Sequence, residues 1–165
     1  MPRTASLNAI DRRLLMLMQQ NSRISYQDLG TEVGLSTSAV NERVRKLFNE
    51  KIMTGCHARV DPRLVGLEIG AFLSVAIDTP GHEAEFLKRI NMIPEIQECH
   101  HITGEFSFLL KAHLRNTDHL ERLLTDGIKS VKGVTKTHTV IILSSPKDVP
   151  VVDCLSGSEH EKVEQ

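Results

Sequence analysis

Residues 23–47 read RISYQDLGTEVGLSTSAVNERVRKL, and two helix starts joined through one glycine decide the N-terminal fold. Ser25 followed three residues later by Asp28 makes an N-cap with the carboxylate half of a capping box, and Ile24 before it can staple onto Leu29. That helix is expected to run to Val33. Gly34 then offers the left-handed conformation that closes a helix. Leu35-Ser36 restarts at once, with Ser36 as cap and Leu35 stapled to Val40, and the new helix is expected to reach about Glu50. So short a connection cannot return one helix antiparallel along the other, so the pair reads as a helix-turn-helix.

Outward from this centre, residues 8–21 carry Ile10, Leu14, Leu17 and Met18 at helical spacing behind Asn8 as cap, with Asp11, Arg12 and Arg13 expected to face outward. After the third helix, residues 51–60 contain Gly55 and the alternating run Cys56-His57-Ala58-Arg59-Val60, read as a strand or small hairpin, a wing. Asp61-Pro62 forbids helix continuation and opens a hinge. The rhythm then changes. A strand is expected over residues 69–78, then a Pro80-Gly81 turn and a helix striped by Phe86, Leu87 and Ile90 that Pro94 stops. Two strands, 96–103 and 106–113, flank Gly104-Glu105. Another helix, capped by Thr117, buries Leu120, Leu123, Leu124 and Ile128, with Gly127 and Gly133 at its end, and residues 134–143 form the last strand.

The predicted fold class is therefore α+β: an N-terminal winged helix-turn-helix followed by a ferredoxin-like βαββαβ domain. Boundaries are set at 1–60 for the first domain, 61–66 for the hinge, 67–145 for the second domain and 146–165 for a tail whose last ten residues are expected to be disordered. Two helices cover one face of a four-stranded antiparallel sheet and leave the other bare. Rows such as Phe106, Phe108 and Leu110 with Leu109 supply more apolar side chains than one layer of helices can cover, which points to association between copies.

Composition narrows the function. The chain of 165 residues is 40% hydrophobic and 25% charged, and it has no apolar run long enough for a membrane span. With no apolar stretch behind a basic start, no secretory signal and a cytoplasmic location are expected. Cys56, Cys99 and Cys154 are widely spaced and odd in number, as reduced thiols would be. The formal net charge of -1 hides a division: residues 1–60 hold nine Lys/Arg against five Asp/Glu, a net of +4, and residues 61–165 hold eleven against sixteen, a net of -5. A polyanion-facing module joined to an acidic one fits that split.

The third helix carries the chemistry. Val40, Val44 and Leu47 fall on one side at i, i+4 and i+7 and point into a small helical core. Ser38, Glu42, Arg45 and Asn49 lie opposite, flanked by Thr37, Asn41 and Lys46. Such a face can enter the major groove of double-stranded DNA. Asn41 can pair bidentately with adenine, Arg45 can reach guanine or phosphate, Glu42 can accept from cytosine, and Ser36, Thr37 and Ser38 sit near the helix N-terminus for phosphate or base contacts. Arg12, Arg13 and Arg23 are candidates for gripping the DNA backbone. The competing reading takes Arg43, Arg45 and Lys46 as an ordinary solvated helix face.

The runs LNAIDRRLL over residues 7–15, Arg23-Ile24-Ser25, Val33-Gly34-Leu35-Ser36 and ERVRKL over residues 42–47 resemble the Lrp/AsnC, or feast/famine, family of transcription regulators. A second block, Ile96-Gln97-Glu98-Cys99-His100, then TGEFSFLL over residues 103–110 and Gly133-Val134, is similar to that family's C-terminal effector module. The resemblance spans residues 7 to about 145. It implies that the bare sheet face builds a homodimer, that dimers assemble further, commonly into rings of eight, and that a small amino acid binds between dimers. The turn Thr103, Gly104, Glu105, Phe106 and Ser107 is then expected to offer backbone groups to the ligand's ammonium and carboxylate, and Thr137 and Thr139 match the family's Thr-x-Thr on the last strand. One departure stands out. Where many members carry Gly-Asp-x-Asp, this chain has Glu105 and then Ser107, so one carboxylate is missing, and with it about 1.5–3 kcal/mol of charge-assisted hydrogen bonding to an ammonium.

Other chemistries find less support. Cys99-His100-His101 invites a metal, but adjacent strand residues point to opposite faces, so the two histidines cannot readily share one ion and no metal site is expected. No phosphate-binding loop, dinucleotide fingerprint or nucleophile elbow is present, so neither a cofactor nor an enzyme is expected. The expected function is a sequence-specific DNA-binding regulator whose assembly an amino acid modulates. A regulatory subunit of a metabolic enzyme and a metal-sensing repressor using Cys99 with a histidine are the alternatives.

Overall fold

The computed structural model describes residues 7–155, which separate into two compact units, 7–58 with 148–155 and 59–147. The predicted disorder of the last ten residues lies outside the described range. Among the described residues no helix is long and apolar enough to cross a membrane.

The first unit is built on helices α1 (Ala9–Gln20), α2 (Tyr26–Val33) and α3 (Thr37–Asn49). Each begins at its predicted cap: the side chains of Asn8, Ser25 and Ser36 accept from the backbone N–H of Asp11, Asp28 and Ala39, satisfying donors that a helix start leaves unpaired. Gly34 closes α2 at φ 71°, and the Leu35 N–H then donates to the Gly30 carbonyl at 2.9 Å. That return requires Gly30 as well, because a Cβ there would stand 2.5 Å from the Leu35 carbonyl oxygen. Leu14, Met18, Leu29, Val40 and Val44 make the core, with Ile10, Leu17, Ile24, Val33, Leu35 and Met53 packed around them.

Two expectations for this unit are corrected. The wing predicted over residues 51–60 is not formed: Lys51 turns with φ 58° and residues 54–60 run without strand pairing. Alternation alone does not make a strand: a strand needs a ladder with a neighbour, and among the described residues no strand is formed over 54–60. Asp11 and Arg12 are also partly buried rather than outward-facing, since Asp11 pairs with Arg43 of α3 and Arg12 with the Cys154 carbonyl.

The second unit holds β1 (Ile69–Ile77), α4 (Pro80–Ile90), β2 (Ile96–His101), β3 (Phe108–Leu114), α5 (Thr117–Arg122, continued as a π-helical stretch Leu123–Lys129) and β4 (Val134–Ile142). The sheet is antiparallel in the order β2-β3-β1-β4, the predicted βαββαβ arrangement. A short 3-10 turn, Arg63–Val65, fills the predicted hinge. Pro80 is the first residue of α4 rather than part of a preceding turn, a position where its missing N–H costs nothing. Asn116 caps α5 in place of Thr117, accepting from the His119 N–H at 2.9 Å.

Register separates the two sheet faces. Ala71, Leu73, Val75, Phe108, Leu110, Ala112 and Leu114 meet Phe86, Ile90, Leu120, Leu123 and Ile128 in the core. Of the apolar rows singled out in the sequence, Phe108 and Leu110 thus belong to the helix-covered side. The bare face carries Phe72, paired in register with Lys111 and Val140, and Ser74, paired with Leu109 and His138. Phe72 and Val140 stay 37% and 49% exposed, so an apolar strip is left open there.

Candidate nucleic-acid interface and effector site

Helix α3 divides cleanly. Val40, Val44 and Leu47 are buried, while Ser36, Thr37, Ser38, Asn41, Glu42, Arg45, Lys46 and Asn49 are exposed. Amphipathic spacing makes this division, and the three-helix core fixes it. The polar ridge offers donors and acceptors without a buried partner to hold them. Ser36 caps the helix and lies 3.1 Å from the Ser38 hydroxyl, and Lys46 sits 3.8 Å from Glu50 in an exposed pair of little energetic weight.

Arg43 differs from its neighbours. Its guanidinium is 2.8 Å from the Asp11 carboxylate, with side chains 32% and 14% exposed, and it ties α3 to the first turn of α1. Opposite charges on neighbouring helices were the only sequence signal for this pair, and residue spacing does not say which arginine of the run turns inward.

The arginines proposed to grip the DNA backbone are placed unequally. Arg23 is exposed. Arg13 is half-exposed and 3.6 Å from Glu32. Arg12 is engaged: Nη1 donates to the Cys154 carbonyl at 2.8 Å and Nε to the Leu7 carbonyl at 3.3 Å. A guanidinium already committed to two carbonyls is a poor phosphate clamp, and Arg12 drops out of the DNA-facing set.

The effector residues split. Glu105 pairs with Lys136 on β4 at 2.5 Å, and this ammonium holds the Glu105 carboxyl below the ordinary carboxylate range. Phe106 lies beside His138, with ring centroids 6.3 Å apart, and under Lys136, whose Nζ is 5.5 Å from the ring centre. Lys136 and His138 pair in register with Ala76 and Ser74, on the bare side of the sheet. Thr137 and Thr139 pair instead with the core residues Val75 and Leu73, so they face the helix side, half-buried. The turn and the threonine pair therefore do not converge on one surface within the chain.

Ser107 serves the fold. Its hydroxyl accepts from the Ile77 N–H at 3.2 Å, its N–H donates to the Val75 carbonyl, and its carbonyl accepts from Ile102. Thr103 and Gly104 are exposed, Gly104 with φ 115°. Lys136 is the residue that sequence reasoning missed, although its place on the last strand, next to Thr137, was visible.

His100 and His101 turn to opposite faces as strand alternation requires: His100 is 3.1 Å from Glu98, and His101 stacks on Phe108 at 5.0 Å. His100 first, and Lys111 second, draw the Glu98 carboxyl below its ordinary range.

Comparison with known proteins gives a consistent result. Residues 7–47 match the AsnC-type helix-turn-helix domain, and residues 70–152 match the Lrp/AsnC ligand binding domain. The chain is 26% identical over 140 residues to the regulatory protein AsnC of Escherichia coli, covering 85% of this chain and 92% of that protein. It is 31% identical over 142 residues to the HTH-type transcriptional regulator Ptr1 of Methanocaldococcus jannaschii, covering 86% and 95%. A transcriptional regulator of Neisseria meningitidis, solved as an L-Met complex, superposes with a TM-score of 0.84 at 26% identity over 89% of this chain and 96% of that one.

Proposed function

The chain belongs to the Lrp/AsnC family of transcription regulators, and from that premise we propose that it binds double-stranded DNA through α3 and answers to a small amino acid. The observation that carries the DNA reading is the exposed ridge Ser38, Asn41, Glu42, Arg45, Lys46 and Asn49 backed by three buried apolar residues. In the major groove Asn41 reads adenine, Arg45 reads guanine or a phosphate, Glu42 disfavours loose phosphate contact, and Ser36, Thr37 and Ser38 approach the backbone at the helix start, with Arg23 as a peripheral cation.

Copies pair through the bare sheet face, where Phe72 and Val140 are open. Pairing sets two helix-turn-helix units on half-sites one helical turn apart, roughly 34 Å or a multiple. Dimers assemble further, towards an octamer, in the cytoplasm. The effector site uses the turn 103–107 of one copy with Thr137 and Thr139 of another, because these groups lie on opposite sheet faces in a single chain. An amino acid that favours one assembly over another then changes the spacing of the DNA-reading helices and hence DNA affinity. A metabolic enzyme's regulatory subunit is not favoured: it leaves the helix-turn-helix match and the exposed ridge of α3 without a role.

The test selects duplex fragments from the source genome with the purified protein and measures their affinity for the parent and for the Asn41→Ala, Arg45→Ala double variant. Each lost base contact is expected to cost about 1–3 kcal/mol, roughly tenfold to a hundredfold, with helicity retained. Equal affinity of parent and double variant for a selected fragment sinks the reading. Sizing and DNA titration with each common amino acid in turn check the effector, and no change with any of them removes that part.

A further inference from the structure

The chain does not end at the sheet. Beyond β4 it runs on to residues 151–155, which lie on one stripe of α1 formed by Arg12, Met16 and Gln19 at i, i+4 and i+7. The side-chain amide of Gln19 acts as a strand partner would: Nε2 donates to the Val152 carbonyl at 3.0 Å and Oε1 accepts from the Val152 N–H at 2.9 Å. Nη1 of Arg12 donates to the Cys154 carbonyl at 2.8 Å, and the Cys154 N–H reaches Met16 Sδ at 3.5 Å. Leu14 and Met18, which enter the three-helix core, occupy another stripe of the same helix.

We propose that residues 151–155 are a releasable clasp that gives the helix-turn-helix a second tether and so preorganises it for DNA. This rests on the DNA-binding reading above. Two stretches of chain join the units. One enters the second unit at Arg59, and the other leaves it at Lys147. Inside that unit Arg63 Nη2 donates to the Leu143 carbonyl at 3.4 Å, which joins the segment after the first crossing to the segment before the second. With the clasp engaged, the helix-turn-helix is held by both stretches. With it released, only the first remains, and more orientational freedom must be lost on binding paired half-sites.

The character of the contact argues for release. The segment is held by hydrogen bonds, most of them to backbone with one from Gln19 Nε2 to Cys154 Sγ at 3.3 Å, and no residue of the segment is fully buried, with Val152 68% and Leu155 45% exposed. Net gains from such bonds are modest and oppose the cost of ordering the segment. Its position argues against inhibition, since Ser38, Asn41 and Arg45 stay exposed while the clasp is in place. The segment continues β4, the strand that bears Lys136, Thr137 and Thr139, so a ligand bound to that strand acts on the clasp's own chain.

The test uses the full chain with Cys56→Ser and Cys99→Ala, which leaves Cys154 as the reporting thiol. Labelling by a soluble disulfide reagent is followed in this parent, in a Gln19→Ala version and with and without a selected duplex. A third protein truncated after Val149 leaves α1 untouched and is compared for DNA affinity. Labelling is expected to quicken severalfold in Gln19→Ala and to slow when DNA binds the parent. DNA affinity is expected to fall about threefold to tenfold in both Gln19→Ala and the truncated chain, with helicity unchanged. Equal labelling of parent and Gln19→Ala overturns the clasp, as does unchanged or rising DNA affinity on release. A parent that binds no selected duplex refutes the DNA reading instead, and the labelling comparison still decides whether the segment docks.

Discussion

The carboxylate of Asp11 and the guanidinium of Arg43, thirty-two residues apart, meet at 2.8 Å and tie the first turn of α1 to the middle of α3. Because α3 is thereby fastened on one flank, Arg45 and Lys46 are left to solvent on the other. Asp11→Ala leaves a partly buried guanidinium without its partner and is expected to destabilise the fold by about 1–3 kcal/mol. Denaturant titration of Asp11→Ala, Arg43→Ala and the double variant gives the coupling directly. Strict additivity of the two single changes shows that the pair contributes nothing.

Gly30→Ala is expected to cost about 1–3 kcal/mol, although alanine is the better helix former, because its methyl carbon meets the Leu35 carbonyl oxygen at 2.5 Å. Backbone on both sides of the clash leaves no flexible side chain to yield. A melting temperature equal to or above the parent's contradicts this account of the turn.

Phe72→Glu places a charge in the middle of the open apolar strip and is expected to shift the protein from dimer or larger towards monomer. Phe72 is 37% exposed and is not among the residues of the helix-covered core, so the monomer should keep its fold. Sedimentation checks the mass and circular dichroism the fold. An unchanged assembly assigns the contact to another surface.

The hold of Lys136 on Glu105 is expected to disappear in acid. The Glu105 carboxyl is drawn below its ordinary 4.5, chiefly by the Lys136 hydrogen bond, so the folded form binds its proton less readily than the unfolded chain. The pairing is thus complete above pH 4.5 and is lost as pH falls through the lowered folded value. Both side chains are well exposed, so the effect is local to the turn. Carboxyl NMR should place the Glu105 midpoint below 4.5 in the parent and nearer 4.5 in Lys136→Met. Equal midpoints in the two proteins refute the pairing.

Local rules carried much of the reading. Asn8, Ser25, Ser36 and Gly34 act over three or four residues, and each does what its chemistry allows at that spacing. The apolar triad Val40, Val44 and Leu47 followed from helical periodicity, and with it the exposed opposite ridge. Errors arose where a residue's state depends on a partner distant in sequence. The alternation of residues 56–60 suggested a wing, but among the described residues no strand forms there. Phe108 and Leu110 differ from Leu109 only in parity, and the side that receives the helices decided which of them is buried.

The sequence by itself determined three capped helices with a glycine-closed turn, the order of strands and helices that follows, and the polar set on α3 that faces outward. These depend on hydrogen bonds and periodicities spanning a few residues, which any stretch of chain displays in its own composition. Only the tertiary structure decided that Arg43 rather than Arg45 turns to Asp11, that Arg12 is engaged by the C-terminal segment, and that Glu105 and the threonine pair lie on opposite faces of the sheet. Each of those outcomes is a choice among chemically similar groups, made by which of them the packed core brings within a few ångströms of a partner far along the chain.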